Sequence, residues 1–280
     1  MTRPAATHTS GSEADGREAA PRRVRRHWAP VLSNEGVAAD TSWLELESPA
    51  IACESRPGQF LMLGFGCGNS SPPFLPRPFS VAWTGADGRI GFLVRGFGEG
   101  TRRLLRLREG DALLLLGPLG RPFRTETGGG WTCVAGGVGL APFLFLASRT
   151  SDADVRILYG ERTADRVFDA GLLESLTGRA ADVWTEDGTA GRRGQVLAGL
   201  DPEESAPLLA CGPEPMLRAV WDFARRHDRP LQVSVEAHMG CGIGTCQGCV
   251  VAGADGSWLK ACTEGPVFDA RDLGWAPSGD

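Results

Sequence analysis

Four cysteines near the carboxy-terminal end constrain the fold of this 280-residue chain more than any other feature of its sequence. Cys241, Cys246, Cys249 and Cys262 follow the spacing C-x4-C-x2-C-x12-C, whose first half is the plant-type [2Fe–2S] spacing. Such a cluster needs four thiolates, two for each iron. The chain must therefore fold so that these four sulfur atoms reach one small volume.

The residues around these cysteines suit a cluster-binding loop. Gly242 and Gly244 allow positive φ angles, so that backbone N–H groups can approach the cluster sulfur atoms without a Cβ in the way. N–H donors of this kind tune the reduction potential. Residues 250–258 predict strand, turn and strand around Asp255-Gly256, and this hairpin would bring Cys262 back to the other three cysteines.

Two other interpretations of the four cysteines stay open at this point. The fourth cysteine lies closer than in plant-type ferredoxins, and structural zinc also uses four cysteines. Zinc sites favour two short Cys pairs, however, whereas only Cys246 and Cys249 form a C-x2-C pair here. The thiols could also be unliganded, while disulfides would require an oxidising compartment, for which the sequence has no sign.

Composition narrows the class of protein. The hydrophobic fraction of 42% is ordinary for a globular protein, and the net charge of −5 argues against a nucleic-acid partner. No apolar run is long enough to cross a bilayer and no secretory segment is evident, so we expect a cytoplasmic protein without a membrane partner. The remaining cysteines are predicted to be buried small apolar residues: Cys53, Cys67, Cys133 and Cys211.

The sequence pattern of the first half of the chain predicts β-strands. Residues 1–26 are polar and Arg-rich and predict a disordered tail. From 27 to 125, short apolar or alternating runs separated by Gly and Pro predict a barrel or sandwich with one helix at 101–107. The predicted strands are 41–46, 59–64, 79–83, 90–94 and 112–116.

The second half alternates strands with helices, which indicates a parallel sheet of Rossmann type over residues 126–235. The predicted strands are 131–135, 155–159, 181–185, 208–211 and 231–235. The predicted helices are 140–149, 170–176, 195–200 and 214–226. The cysteine module then occupies residues 236–280.

Two motifs in the β half favour a bound flavin. In Arg77-Pro78-Phe79-Ser80, the arginine can fork onto a pyrophosphate and the serine hydroxyl can lie near the flavin N5, although an ordinary surface arginine would give the same pattern. Further on, a glycine-rich turn ends at Gly100-Thr101 and leads into a helix. The N-terminus of such a helix can bind an anion. Thr101 is predicted to be the N-cap or a phosphate donor.

Two turns in the α/β half favour a dinucleotide. Strand 131–135 leads into Gly136-Gly137-Val138-Gly139 and a helix, so that Gly137 and Gly139 permit close approach of a pyrophosphate. Cys211-Gly212 ends a later strand, where we expect the nicotinamide. Glu161 would favour NAD and Arg162 NADP, so this pair leaves the choice open.

The order of these motifs resembles the ferredoxin–NADP reductase superfamily. With the C-terminal C-x4-C-x2-C-x12-C and the tail Lys260-Ala-Cys262-Thr-Glu-Gly-Pro266, the chain is similar to electron-transfer subunits of dihydroorotate dehydrogenase B over residues 27–272. That resemblance implies a six-stranded antiparallel FAD-binding barrel, a Rossmann-like NAD-binding domain and a small [2Fe–2S] module.

The resemblance also implies roles for individual residues. FAD would be bound by Arg77–Ser80, by Leu93, Val94 and Arg95, and by Gly100 and Thr101. The cysteines would bind the cluster, and no residue acts as a catalytic acid or base. A separate catalytic subunit holding FMN would oxidise dihydroorotate in a heterotetramer, and electrons would pass through the cluster and FAD to NAD+. The alternative is a reductase subunit for a hydrogenase, ferredoxin or oxygenase.

Overall fold

The computed structural model describes residues 24–66, 75–125, 130–150 and 155–275. The first sheet is antiparallel, with strand order β4-β3-β7-β1-β2-β6-β5. Its strands are β1 (Arg25–Ala38), β2 (Thr41–Glu47), β3 (Phe60–Gly64), β4 (Arg77–Ser80), β5 (Trp83–Thr84), β6 (Arg89–Arg95) and β7 (Ala112–Leu119). Two short helices accompany it, α1 (Pro49–Glu54) and α2 (Glu99–Leu104).

The two edges of this sheet are joined by one stretch of chain. β4 pairs with β3 and β5 pairs with β6, although only Val81 and Ala82 separate the two strands. The Val81 N–H donates to the Gln59 carbonyl (3.0 Å) and the Ala82 N–H to the Gly91 carbonyl (2.9 Å). The sheet therefore closes as a barrel, and residues 77–84 act as one strand, which makes six strands in all.

Most predicted strands of the barrel are confirmed, but three expectations are wrong. The tail does not reach Arg26, because Arg25 and Arg26 pair with β7 and Arg25 also forms an ion pair with Glu54 (2.5 Å). The helix expected at 101–107 begins and ends earlier, at Glu99 and Leu104. Cys53 is exposed, whereas Cys133 and Cys211 are buried as predicted. Residues 1–23 and Cys67 lie outside the described residues.

The second sheet is parallel except at one edge, with strand order β11-β10-β9-β8-β12-β13-β16. Its strands are β8 (Trp131–Gly136), β9 (Val155–Glu161), β10 (Asp182–Thr185), β11 (Arg192–Arg193), β12 (Leu208–Cys211), β13 (Leu231–Ser234) and β16 (Val267–Asp269). The helices are α3 (Ala141–Arg149), α4 (Ala170–Thr177) and α5 (Glu214–Arg226). The stretch expected as a helix at 195–200 is a 3-10 turn, Val196–Gly199.

Strand order reverses between β8 and β12, since β9 and β10 lie to one side and β13 to the other. In open α/β sheets, ligands bind in the crevice beyond the carboxyl ends of the strands at such a reversal. The Gly136–Gly139 turn and Cys211-Gly212 are the two strand ends at this point. The expected Rossmann-like sheet is thus present, and its binding position is set by topology.

The cysteine module is built between two neighbouring strands of the second sheet. β13 ends at Ser234, and the chain returns at β16, where Ser234 pairs with Val267. Between them lie the cysteine loop and a hairpin, β14 (Val250–Ala252) and β15 (Trp258–Lys260), which confirms the hairpin prediction. Buried Cys249 and Cys262 belong to the same apolar core as barrel residues Met62 and Leu119.

Candidate functional site

The four cysteines differ in burial, two being buried and two closer to the surface. Cys249 and Cys262 are buried, at 2% and 1% exposure, and, after burial itself, Cys249 is among the causes that raise the pKa of Cys262. Cys246 is exposed, and its backbone N–H lies 3.4 Å from Sγ of the half-buried Cys241. Within the described part of the chain, no group of three or more His, Cys, Asp or Glu side chains is arranged to hold a metal ion. A two-iron cluster needs four thiolates, and these are the four cysteines that the chain offers in this module.

Backbone N–H groups of the loop point at the sulfurs. The Ile243 and Cys246 N–H groups both donate to Sγ of Cys241 (3.4 Å each), and the Gly244 N–H donates to Sγ of Cys262 (3.2 Å). Burial disfavours the Cys241 thiolate, but these donors outweigh it and lower the pKa of Cys241 to about 7. Burial, followed by the neighbouring Cys249, raises the pKa of Cys262 to about 11. The donor set and the N–H groups fit an iron–sulfur cluster.

The cysteine loop rests directly on the barrel. Gly242 has φ +74°, and a Cβ there would lie 2.6 Å from Cγ of Met62 and 2.9 Å from Cδ1 of Leu119. Met62 on β3 pairs with Pro78 on β4. The loop therefore lies one strand away from the Arg77–Ser80 motif.

The structure brings the two halves of the expected flavin site together. A Cβ at Gly100 would overlap the Arg77 guanidinium, so that the arginine lies against the turn that enters α2. Phe79 and Ser80 follow Arg77 on β4, and Leu93 and Val94 lie buried on β6. This glycine cradle beside an arginine fits a pyrophosphate.

The N-cap prediction for Thr101 is wrong, because Gly98 is the N-cap and Thr101 lies three residues inside α2. Its hydroxyl oxygen accepts from the N–H groups of Phe97 (2.8 Å) and Gly98 (3.0 Å). Thr101 therefore holds the glycine-rich turn in shape from within the helix.

The two expected nucleotide turns touch each other. A Cβ at Gly139 would overlap the Cys211 carbonyl and lie 2.7 Å from N of Gly212. Gly137, with φ +58°, opens the 3-10 turn Gly137–Leu140 that leads into α3. Beside them is a crevice of about 450 Å³, which is lined by residues of the first turn and by residues that follow the second turn. Among its lining residues are Arg95, Gly137, Glu161, Arg162, Glu186 and Met216.

Two acidic residues near the nucleotide turns have surroundings that were not foreseen. Glu161 forms an ion pair with Arg95 of the barrel (2.5 Å), a contact that the sequence did not predict. The second is Glu236, which follows β13 and does not line the crevice. Burial raises the pKa of its carboxyl. Burial, with Glu236 as the next cause, raises the pKa of Cys211 to about 12. The position of Glu236 at a strand's carboxyl end was the signal that could have identified it.

Comparison with known proteins agrees with this geometry. Residues 236–274 match the family model described as the iron–sulfur cluster binding domain of dihydroorotate dehydrogenase B. Among solved structures, the chain resembles an NADH-dependent reduced ferredoxin–NADP oxidoreductase, with a TM-score of 0.77, 29% identity, and 88% of this chain and 90% of that chain covered. It also shares the fold of the FAD/NAD-binding domain of a Vibrio cholerae nitric oxide dioxygenase (TM-score 0.64, 19% identity, 75% and 98% covered).

Curated relatives extend the match along nearly the whole chain. A dihydroorotate dehydrogenase B (NAD(+)) electron transfer subunit of Clostridium acetobutylicum is 35% identical over 221 residues, covering 79% of this chain and 87% of the relative. A probable one of Methanopyrus kandleri is 36% identical over 252 residues, covering 88% and 90%. No helix of the described residues is long and apolar enough to cross a membrane. The chain belongs to the family of dihydroorotate dehydrogenase B electron transfer subunits, as its motifs predicted.

Proposed function

We propose that this chain carries electrons from the FMN of a dihydroorotate dehydrogenase catalytic subunit, through a [2Fe–2S] cluster and FAD, to NAD+ in the cytoplasm during pyrimidine (UMP) biosynthesis. Family membership supports the assignment of an electron transfer subunit that serves a catalytic partner. The FMN of that partner and a heterotetrameric assembly are parts of the proposal.

One observation carries the proposal: the three candidate sites adjoin one another in the order that electrons would follow. The cysteine loop rests on Met62, which pairs with Pro78 of the flavin motif. Arg95 lies at the end of β6, which pairs with the other half of the stretch 77–84, and it lies against Gly137 of the nucleotide turn. A partner can approach the two cysteines closer to the surface, because Cys246 is exposed.

The residues of the chain supply position rather than acid–base chemistry. Bound flavin supplies the exchange between single-electron and hydride chemistry. Arg77, Gly100 and Thr101, with the strand residues Pro78 to Ser80, Leu93 and Val94, would hold its phosphates and ring. Gly137 and Gly139 would admit the dinucleotide, and Cys211-Gly212 would face the nicotinamide. Cys241, Cys246, Cys249 and Cys262 would hold the cluster.

A second candidate function is a reductase subunit for another electron carrier. The likeness to the ferredoxin–NADP oxidoreductase structure favours it, since that chain shares both the fold and 29% identity. The two candidates differ only in the partner. Mixing the purified protein with a dihydroorotate dehydrogenase catalytic subunit or with reduced ferredoxin, and following NAD+ reduction, separates them.

The direct experiment is a pair of cysteine substitutions in the full chain. Cys249→Ser removes a buried cluster ligand, so we expect loss of the brown cluster absorption and of dihydroorotate-dependent NAD+ reduction in the complex with the catalytic subunit. Reduction of bound FAD by NADH should survive, because the nucleotide crevice is untouched. Cys53→Ser, at an exposed cysteine outside the module, is the control and should behave as the wild type.

Iron, sulfide and flavin assays on anaerobically purified protein complete the test. One FAD and two irons per chain are expected. A protein that holds zinc and no flavin, or a Cys249→Ser variant that relays electrons at the wild-type rate, would contradict the proposal.

A further inference from the structure

Arg95 belongs to the barrel, yet its side chain reaches into the nucleotide domain. The residue is 8% exposed at the end of β6. Its Nε donates to Oγ1 of Thr41 (3.0 Å), and its Nη2 donates to Oε1 of Glu161 (2.5 Å) and to the Arg166 carbonyl (3.4 Å). Three contacts thus fix the plane and direction of the guanidinium.

Glu161 is itself held in place. Its side chain is 4% exposed and also accepts a hydrogen bond from the Tyr159 hydroxyl (3.2 Å). A carboxylate at the end of the second strand of a Rossmann-type sheet commonly binds a ribose hydroxyl. Here the carboxylate is engaged by Arg95 and Tyr159, and it orients the arginine.

The remaining nitrogen of Arg95 faces the nucleotide turn. Nη1 makes no hydrogen bond to the described residues, and a Cβ at Gly137 would lie 3.2 Å from it. Arg95 also lines the crevice of about 450 Å³. An arginine whose other nitrogens are fixed presents its free N–H groups with little loss of conformational entropy on binding.

The anion that fits this position is a pyrophosphate. Gly137 opens the 3-10 turn Gly137–Leu140, so the backbone approaches the crevice there without a side chain. Arg77 lies against Gly100 at the expected flavin pyrophosphate site, which is a different turn. The barrel therefore offers two arginines to two separate glycine turns.

We propose that Arg95 binds the pyrophosphate of the nicotinamide dinucleotide rather than that of the flavin, with Nη1 donating beside Gly137. Thr41 and Glu161 are positioning residues for this contact. The inference rests on the proposed function in that the crevice binds NAD(H). It means that the flavin barrel supplies part of the nucleotide site, so that dinucleotide binding bridges the two domains.

The test measures nucleotide binding and flavin content in the same variants of the full chain. In Arg95→Gln, we expect Kd for ADP-ribose by calorimetry to rise about tenfold to a hundredfold, as for loss of a charged hydrogen bond. FAD content should equal that of the wild type. Flavin reduction by reduced nicotinamide mononucleotide, which lacks the pyrophosphate, should keep its rate. Arg192→Gln, at an exposed arginine on β11, is the control and should change none of these.

A double variant guards against misfolding, because Arg95→Gln alone leaves the Glu161 charge buried without its partner. Arg95→Gln with Glu161→Gln removes both charges and should show the same loss of ADP-ribose affinity with full FAD content. Unchanged ADP-ribose affinity in both variants, or loss of FAD with unchanged affinity, overturns the inference. If the wild type itself binds neither ADP-ribose nor NADH, the proposed nucleotide function fails together with it.

Discussion

Single glycines decide how closely the nucleotide turns can approach each other. At Gly139, the space for a side chain is occupied by the backbone of Cys211 and Gly212, which cannot rotate away as a flexible side chain would. The contact joins the ends of two neighbouring parallel strands, β8 and β12. The shape of the crevice at the strand reversal therefore depends on the absence of one methyl group.

We predict that Gly139→Ala lowers the free energy of unfolding by about 1–3 kcal/mol, as overpacking does, and weakens NADH binding because the two turns are forced apart. Urea unfolding and an NADH titration measure the two effects. Gly36→Ala is the matched control, since nothing lies within 4 Å of a Cβ at Gly36. Equal stability and affinity of the two variants would show that the turns adjust freely.

At the scale of elements, α2 shows how a short helix organises a binding turn. The hydroxyl oxygen of Thr101 accepts hydrogen bonds from the N–H groups of Phe97 and Gly98. Both groups precede the first turn of the helix and would otherwise have no partner within it. It also donates to the Gly98 carbonyl (3.0 Å). The turn that meets Arg77 is therefore held from the helix side.

Thr101→Val keeps the shape of the side chain but removes the hydroxyl. We expect a loss of about 1 kcal/mol in the free energy of unfolding, typical of a lost cap, and a lower FAD content after purification because Gly100 and Arg77 lose their fixed arrangement. Thr101→Ser retains the hydroxyl and should bind FAD as the wild type does. Thermal unfolding and flavin absorbance report both quantities, and equal FAD retention by the two variants would contradict this role.

For the whole molecule, the relative placement of barrel and nucleotide domain matters most, because hydride transfer requires the flavin and nicotinamide to meet. An apolar core joins barrel residues such as Trp43 and Leu93 to Phe143 and Leu144 of α3. A polar contact complements it: the Gln232 amide accepts from the Arg124 N–H (2.9 Å) and donates to the Arg124 carbonyl (2.8 Å). One side chain on β13 thus satisfies both backbone groups at the end of the barrel.

We predict that Gln232→Ala lowers the free energy of unfolding by about 2 kcal/mol or more, since it leaves two backbone groups without their partner. It should also slow flavin reduction by NADH more than it changes NADH affinity, because the crevice lining is untouched while the domain junction loosens. Stopped-flow kinetics separate the two parameters. A fall in affinity alone would instead assign Gln232 to the nucleotide site.

Sequence reasoning was most successful where function depends on local spacing. The first three cysteines, the glycine turns and most single strands and helices are patterns within about ten residues of chain, and these elements form as expected. It failed where the outcome depends on distant partners. Arg95 and Glu161 meet across 66 residues and across a domain junction, and β1, with its mixed polarity, owes its place to pairing with β2 and β7.

The cysteine module leaves and re-enters the second sheet at a single pair of hydrogen-bonded residues, with Ser234 opposite Val267 and the Val235 N–H donating to the Pro266 carbonyl (3.0 Å). Its two stems are thus adjacent, as in a loop inserted between neighbouring strands, so closing this excursion costs the scaffold little entropy. A different cluster-binding segment can therefore be grafted at the same two strands, provided that its stems are equally close and its loop fits against Met62 and Leu119 of the barrel.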